Sequence, residues 1–483
     1  MHGRHHRESS LDAPQRVRNG RQRCRPFLFS TTVAQALDQP TSVRDKGSSL
    51  AFMLRAFKYR NYRLFFGGQV ISLIGTWITT TATSWLVYRL TGNAWYLGVV
   101  GFASQFPAFL LSSAAGIYVD RWNRHRLLVT TQSLSMLISF LLAGLTLSNL
   151  ITIHVLIAIS VLQGLVNAFD MPCRQAFVVS VIEDKADLGN AIALNSSMFN
   201  GARLVGPSVA AAVIAATNEG WCFLIDGISF FAVIVALLNM RVDASPGAGR
   251  RHPSAWQQFR EGWAYVFGFG PIRSIIALLA IVSLLGVPYT VLMPIFAGDV
   301  LHGGPQTFGL LMTASGLGAL LGALWLAGRP SMVSFGRLIP IAAGLFGIGL
   351  MAFAASRYLW LSLICMVVVG FGIMVQAACS NTVLQTIVPD EKRGRVMSFF
   401  LMAYLGTAPF GSLIAGALSG RIGVPWTIAV GGGCCSVGAL WFAGGLKSFQ
   451  RTIRPIYIDL GLVTETQVAE AEMAALALIE DDE

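Results

Sequence analysis

The sequence predicts an all-α integral membrane protein with twelve transmembrane helices in two pseudo-symmetric six-helix bundles. Three observations support this prediction. Of the 483 residues, 54% are hydrophobic and only 12% are charged, whereas a typical soluble domain is about 25% charged. Apolar runs of about 20 residues, the length that a helix needs to cross hydrocarbon, recur along the chain. A polar segment near the middle separates two regions of similar sequence.

We predict helices rather than strands for the apolar runs, because each backbone N–H and C=O in hydrocarbon must find its partner within its own segment. The predicted helices cover 64–88, 96–118, 127–148, 152–170, 191–215, 220–240, 272–297, 307–328, 338–355, 358–379, 396–419 and 425–446. The predicted domains are a disordered basic tail (1–53), a first bundle (54–240), a cytoplasmic central loop (241–271), a second bundle (272–446) and a cytoplasmic C-terminal tail (447–483).

The net charge of +11 indicates membrane topology rather than nucleic-acid binding. Outside the N-terminal tail, Lys and Arg cluster at every second helix end, and only Arg89, Arg357 and Arg421 lie at the other ends. An excess of Lys and Arg marks the cytoplasmic side of a membrane protein. We therefore predict both termini in the cytoplasm, lipid around the chain and no nucleic acid among its partners.

An internal repeat supports the division into two bundles. QAFVVSVIEDKADLGNAIALNSSMFNGARLVG (175–206) aligns with TVLQTIVPDEKRGRVMSFFLMAYLGTAPFG (382–411), and Gly206 falls on Gly411. Both copies run from a helix through a charged loop into a second helix. Duplicated six-helix halves are typical of secondary transporters, so the repeat predicts transport.

The segment GIYVDRWNRHR (116–126), after the second helix, is a candidate cytoplasmic gate. Its candidate residues are Gly116, Asp120, Arg121, Arg124 and Arg126. Glycine permits close helix packing, and a carboxylate among arginines can hold one conformation closed. Ordinary positive charge on a cytoplasmic loop is the alternative, but it does not explain the order of glycine, aspartate and arginine.

This segment resembles the signature loop of the major facilitator superfamily, Gly-x-x-x-Asp-Arg-x-Gly-Arg-Arg. Asn123 stands where the pattern has glycine, and His125 stands at the next-to-last basic position. Asn tolerates a positive φ better than most residues, so we expect the turn to survive. The resemblance implies the twelve-helix major facilitator fold.

The fourth helix carries two further candidate gate residues, Asp170 and Arg174, within NAFDMPCRQAF. A spacing of four places them on one helical face, but Pro172 is expected to end the helix near this point. Asp170 could accept Arg121 or Arg124 in the gate. A plain cytoplasmic cap is the alternative.

The fifth helix contains Arg203 at membrane depth. An arginine at the centre of a bilayer costs at least about 2.5 kcal/mol to insert, so it should face a cavity or a partner. Asp226 on the sixth helix is the candidate partner. We predict that both line the transport pathway, with Asp226 binding a proton or the substrate. The alternative is a buried ion pair that locks two helices together.

Gly206 and Pro207 follow Arg203. Proline removes the backbone hydrogen bond to residue 203 and bends the helix, and the neighbouring glycine should pack closely against the partner bundle. The pair resembles the start of the Gly-Pro-x-x-Gly-Gly motif of superfamily antiporters, with Ala210 and Ala211 in place of the last glycines. The partial match favours antiport.

Other polar residues within the predicted helices are candidates for the pathway, namely Gln163, Asn167, Asn200 and Gln376. Hydrogen bonds between packed helices are the alternative for each of them. The threonines of TWITTTATSW (76–85) are the best candidates for a cavity wall. Gly318 and Gly322 are predicted to form a packing seam.

The strings ALNSSMFNGARLVGP, NAFDMPCRQAF and VPDEKRGRVMS resemble the bacterial enterobactin-exporter-like branch of the superfamily, also called transmembrane secretion effectors. The resemblance implies an exporter of siderophores or drug-like molecules in the bacterial inner membrane. We expect the protein to be a monomer. No nucleotide-binding or hydrolase motif is found, so we predict that the protein is not an enzyme and needs no metal or cofactor.

The leading hypothesis is proton-coupled export by alternating access. An uptake permease and a non-transporting receptor or scaffold are the alternatives.

Overall fold

The computed structural model describes residues 54–241, 255–329 and 334–461. The predicted N-terminal tail, residues 242–254 of the central loop and the end of the C-terminal tail lie outside these residues. Within them the chain is nearly all helical, and no strand is present. Twelve of its helical segments are long and apolar enough to cross a membrane, which confirms the predicted number.

The first six membrane helices are α1 (Arg60–Thr91), α2 (Ala94–Arg121), α3 (Arg124–Leu147), α4 (Ile153–Val181), α5 (Leu188–Ala216) and α6 (Glu219–Leu238). Short polar side chains start several of them by accepting a backbone N–H, as Asn93, Asn123, Thr152 and Asn218 do for α2, α3, α4 and α6. The connections are short, so consecutive helices cross the membrane in opposite directions.

The second half begins with α7 (Ala255–Gly268), which precedes the seventh crossing. That crossing combines α8 (Gly270–Ile281) and α9 (Tyr289–Ile295) with π-helical turns at Val282–Gly286 and Phe296–Val300. The remaining crossings are α10 (Pro305–Ala327), α11 (Phe335–Ala355), α12 (Leu359–Ile387), α13 with α14 (Asp390–Tyr404 and Ala408–Ile422) and α15 (Val424–Gly444). An amphipathic helix, α16 (Leu446–Asp459), buries Phe449, Ile453 and Tyr457 and begins the C-terminal tail.

Two expectations about helix ends are wrong. Pro172 lies inside α4, which continues to Val181. A proline removes only one backbone hydrogen bond from a helix, and a membrane helix tolerates this loss when neighbouring helices pack around it. The signature segment is not a loop, since α2 runs to Arg121 and α3 starts at Arg124. Asn123 has φ −66° and caps α3 through its side chain, so this position does not require a positive φ.

Helix packing places the first six helices around one another and the last six likewise. In the first set α1 packs on α5 and α6, α2 on α4, and α3 on α6; in the second set α12 packs on α10 and α11, and α11 on α15. Most of the contact between the sets comes from two pairs, α2 with α14 and α5 with α10. The predicted seam is confirmed, because Gly318 and Gly322 face Val367 and Phe371 of α12 without a side chain between them.

We call the membrane side that carries the start of α1 and the end of α15 the basic face, and the other side the opposite face. Close contacts between the two sets lie toward the opposite face. Gly98 of α2 lies against Ser412 and Gly416 of α14. The Tyr88 hydroxyl donates to the Asp299 carboxylate across 2.6 Å. The two sets are therefore closed together at the opposite face.

A short 3₁₀ helix, Arg55–Lys58, ties the start of α1 to the loop before α5. Asp187 in that loop is buried and bonds Arg55 (3.1 Å), Lys58 (2.6 Å) and the Tyr59 hydroxyl (2.8 Å). The hydrogen bond from Lys58, followed by that from Tyr59, holds the pKa of the Asp187 carboxyl below its usual value. The same carboxylate raises the pKa of Lys58 above its usual value.

These shifts predict how the stability of the tie depends on pH. The lowered pKa of Asp187 adds stability above the ordinary carboxyl range, and this stability is lost as pH falls through the folded-state pKa. The raised pKa of Lys58 adds stability that is lost only at strongly alkaline pH.

We expect Asp187→Asn to lower the melting temperature at neutral pH. We also expect the melting temperature of this variant to fall less on acidification than that of the intact protein. Thermal unfolding of the purified protein measures both, and Asp184→Asn, an exposed carboxylate of the same loop, should change neither.

Candidate functional site

A cavity of about 510 Å³ lies between the two sets of helices. Its polar lining comes mainly from the first set: Thr76, Thr79, Thr80, Thr83 and Ser84 of α1, Ser104 and Gln105 of α2, Gln132, Ser135 and Ser139 of α3, Ser160, Gln163, Asn167, Asp170 and Arg174 of α4, Arg203 of α5, and Asp226 of α6. Thr76, Thr80 and Gln105 are exposed although they lie within crossing helices. The cavity therefore admits solvent to membrane depth, and the predicted threonine wall lines it.

The second set supplies a less polar wall. It contributes Val287, Val291, Phe308, Met312 and Ile373, together with Tyr289, Thr290 and Tyr404. The cavity is thus asymmetric in its charges and amides, which all come from the first set, although that set also contributes apolar side chains such as Val100, Ile138 and Phe230. Such a mixture suits a small molecule with one polar end and one apolar end.

Asp226 is only 2% exposed and sits in a cage of hydroxyl groups. Its Oδ2 accepts from Thr79 Oγ1 (2.8 Å) and from Ser139 Oγ (2.9 Å), and Ser229 Oγ lies 3.4 Å from Oδ1. Gly75 of α1 makes room for the carboxylate, because a Cβ there would stand 2.6 Å from Oδ1. Hydroxyls donate to a carboxylate and accept from a carboxylic acid, so the cage accommodates Asp226 with or without a proton.

The predicted partnership of Arg203 with Asp226 is wrong as an ion pair. Both residues line the cavity, but among the described residues no ion pair forms at either of them within 4.0 Å. Arg203 instead stacks on α1, with its guanidinium carbon 5.9 Å from the centre of the Trp77 ring. One reason is that Thr79 and Ser139 already donate two hydrogen bonds to the Asp226 Oδ2.

A second cluster surrounds Asp170, which is 3% exposed. Its Oδ1 accepts from Thr131 Oγ1 (2.8 Å) and Gln132 Nε2 (2.7 Å), and its Oδ2 binds Arg174 one helical turn on. The predicted shared face of Asp170 and Arg174 is therefore confirmed, because α4 continues past Pro172. The cluster joins α3 to α4 on the side of the cavity toward the basic face.

Between the two carboxylates lies a polar seam. Gln163 Nε2 donates to Ser135 Oγ and to Asn167 Oδ1, each at 3.1 Å. Gln132, Ser135 and Ser139 therefore form the α3 side of the seam, and the sequence interpretation missed all three. Their spacing of three and four residues was the available signal, since it places them on one helical face.

Two predicted pathway residues lie elsewhere. Asn200 donates to the Ser196 carbonyl of its own helix, and Gln376 is buried in α12 beside Ser380. Neither lines the cavity. Gln163, Asn167, Arg203 and Asp226 do line it, so the structure brings four of the six predicted residues together.

The role expected for Gly206 needs correction. A Cβ at Gly206 would meet Trp77 of α1, so this glycine packs within its own set of helices and supports the Arg203 site. The contact with the partner set comes instead from the Pro207 carbonyl and Ala211, which face Gly309 of α10. Pro207 lies inside α5, which is continuous from Leu188 to Ala216.

The signature residues lie at the junction of α2 and α3. The side chains of Gly116, Asp120 and Arg121 are outside what the structure describes. Arg124 begins α3, where its carbonyl accepts the Cys173 thiol of α4 (3.2 Å), and the Arg126 N–H is capped by Asn123 (3.1 Å). The backbone thus brings the predicted gate segment next to α4, close to the Asp170 cluster.

Twelve crossing helices around a central polar cavity are typical of transporters of the major facilitator type. Residues 52–452 match the family of transmembrane secretion effectors. The chain belongs to this family and is therefore a secondary transporter rather than an enzyme.

Named relatives cover most of the chain at modest identity. The staphyloferrin A transporter of Staphylococcus aureus is 28% identical over 77% of this chain and 92% of its own length. The multidrug efflux pump Tap of Mycolicibacterium fortuitum is 26% identical over 72% of this chain and 87% of its own length. The enterobactin exporter EntS of Escherichia coli is 23% identical over 76% and 86%.

Solved structures support the fold. A peptide transporter, POT, aligns with a TM-score of 0.64 and 11% identity over 81% of this chain and 95% of its own. A bacterial homologue of the iron transporter ferroportin, in an inward-facing state, aligns with a TM-score of 0.62 and 16% identity over 80% and 98%. Both confirm the predicted fold class.

Proposed function

We propose that this protein exports small molecules, of siderophore or drug-like chemistry, from a bacterial cell in exchange for protons. It works as a monomer in the cytoplasmic membrane, with the basic face and both termini in the cytoplasm. The observation that carries the proposal is Asp226, a buried carboxylate on the wall of a cavity open to solvent, with no cation within 4.0 Å among the described residues. Its hydroxyl cage permits it to gain and lose a proton without rearranging the helices around it.

Export rather than uptake is supported by the relatives named as exporter and efflux pump, and by the Gly206-Pro207 pair. The arginines concentrated on the basic face support its cytoplasmic position. With the opposite face closed, the described conformation would receive substrate from the cytoplasm. Alternating access then requires the contacts of α2 with α14 and α5 with α10 to open.

Within this proposal the remaining polar residues have positioning roles. Asp170 and Arg174, with Gly116, Asp120, Arg121, Arg124 and Arg126, form the cytoplasmic gate. Gln163 and Asn167 line the pathway between the gate and Asp226, whereas Asn200 and Gln376 hold their own helices. Pro207 leaves the Arg203 carbonyl without its helical partner, next to Gly316 of α10, where the two sets of helices must separate.

The direction of transport is tested in intact bacterial cells that express the protein, with a panel of catecholate siderophores and cationic drugs. We expect lower cellular accumulation of at least one compound than in cells without the protein, and we expect a protonophore to abolish the difference. Higher accumulation would identify an uptake permease. A third outcome is that no compound changes in accumulation, while expression still causes a cellular phenotype and Asp226→Asn does not remove it. This outcome would favour a receptor or scaffold.

A further inference from the structure

The cavity contains a positive charge, on Arg203, that no carboxylate of the described residues neutralises. Arg203 is half-buried on α5, and among the described residues no carboxylate oxygen lies within 4.0 Å of its nitrogens. Its contact is the face of the Trp77 ring, 5.9 Å away, and Trp77 is itself supported edge-on by Phe199 at 5.9 Å. A cation–π contact orients the guanidinium but leaves its N–H groups free to bind a further group.

The second arginine of the cavity differs from Arg203 in this respect. Arg174 is bound to Asp170, so its charge is neutralised within α4. Asp226, the other cavity carboxylate, is satisfied by hydroxyl groups. Among the described residues, Arg203 is therefore the cation of the cavity that has no carboxylate partner.

The surroundings of Arg203 favour an organic partner over an inorganic ion. Trp77 flanks the guanidinium on one side, and the second set contributes the half-buried Met312 and Tyr404 to the cavity lining. A volume of about 510 Å³ falls in the range of sites for drug-sized ligands. An arginine fork binds a carboxylate through two parallel hydrogen bonds, and the aromatic wall accepts a flat apolar body.

We propose that Arg203 and Trp77 form the substrate subsite for an organic anion, one whose carboxylate or similarly planar acidic group is attached to an aromatic or conjugated body. The acidic group is held by the Arg203 fork, and the ring lies between Trp77 and the wall that carries Met312 and Tyr404. This inference rests on the proposed function, because it names the substrate class of the same cavity.

The subsite has a consequence for the energetics of exchange. An anion that leaves the cell and a proton that enters both move positive charge inward, so exchange of a monoanion for one proton transfers two charges per cycle. Two charges change the attainable concentration ratio about tenfold for every ~30 mV of membrane potential. Transport of a neutral molecule would respond half as strongly.

Binding to the purified protein tests the subsite without any gradient. The probes are 2-naphthoate, the uncharged 2-naphthamide and the cationic 2-naphthylmethylamine, which share one ring system. We expect the intact protein to prefer the carboxylate over both analogues. Arg203→Gln should weaken its binding by about 10- to 150-fold, the range for hydrogen bonds to a charged group, with little effect on the amide. Arg203→Lys keeps the charge without the fork and should fall in between.

The matched control is Arg329→Gln, because Arg329 also stacks on a tryptophan, Trp325, at 4.1 Å but lies outside the cavity lining. It should bind 2-naphthoate like the intact protein.

The subsite would be overturned if the intact protein preferred the amine. It would also be overturned if Arg203→Gln bound the carboxylate as tightly as the intact protein does. If the protein then transported a cationic drug in exchange for protons, the proposed export function would still hold without the anion subsite. Anion binding without proton-coupled transport would overturn only the coupling.

Discussion

Asp226→Asn is expected to abolish proton-driven accumulation while leaving the exchange of substrate for substrate intact. Asparagine keeps the size and the hydrogen bonds of the cage but cannot release a proton, so the transport cycle no longer consumes the gradient. One proton moving through about 100 mV provides about 2.3 kcal/mol, an accumulation ratio of about 50-fold. We expect the variant to lose this factor. Uptake of labelled substrate into inside-out vesicles, with and without a proton gradient, measures it.

Two further variants separate the proton site from the helix packing around it. Gly75→Ala places a Cβ 2.6 Å from Asp226 Oδ1, so it should displace the carboxylate and reduce coupling although it removes no titratable group. Asp459→Asn, on α16 outside the crossing helices, is the matched control and should accumulate substrate normally. Gradient-driven accumulation by Asp226→Asn equal to that of the intact protein would exclude Asp226 as the proton site.

Gly98→Val is expected to open the opposite face. A Cβ at this position would stand 2.5 Å from the Ser412 carbonyl oxygen and 3.2 Å from the Gly416 Cα, and these backbone atoms cannot turn away as a side chain can. Overpacking typically costs about 1–3 kcal/mol, which reduces the population of the closed state about 5- to 150-fold. The protein should therefore spend more time with α2 and α14 apart.

The reporter for this opening is Ser84→Cys, a cavity position on α1 toward the opposite face. A membrane-impermeant maleimide added from the opposite face should label it faster in the Gly98→Val background. Gly144→Val is the control, because a Cβ at Gly144 would meet nothing within 4 Å. Unchanged labelling with Gly98→Val would mean that the α2–α14 contact does not close this face.

Much of the fold could be predicted from the sequence because lipid imposes a simple rule on it. A helix that crosses hydrocarbon must be long and apolar, and all twelve predicted helices are present. The errors lie at the helix ends. Pro172 was expected to end α4, but a proline within a membrane helix is tolerated when neighbouring helices pack around it.

The candidate site was predictable only in part. Arg203 and Asp226 stand out because a charge in an apolar helix is costly, and both line the cavity. The predicted ion pair between them is wrong, because a sequence does not show that Thr79 and Ser139 donate hydrogen bonds to the carboxylate.

Tyr289 and Tyr404 of the cavity wall carried no sequence signal, since a tyrosine in a membrane helix is equally typical of packing. Asn200 and Gln376 show the converse, because a polar residue can bond within its own helix.

The most direct test of proton exchange at Asp226 is substrate-dependent proton release from inside-out membrane vesicles. The vesicles are loaded with acid and a pH-sensitive dye, and candidate substrates are added outside. We predict that at least one compound releases protons in proportion to the amount transported, and that Asp226→Asn abolishes the release. Equal proton release by the Asp226→Asn variant, or transport driven by a sodium gradient in its place, would contradict the proposed mechanism.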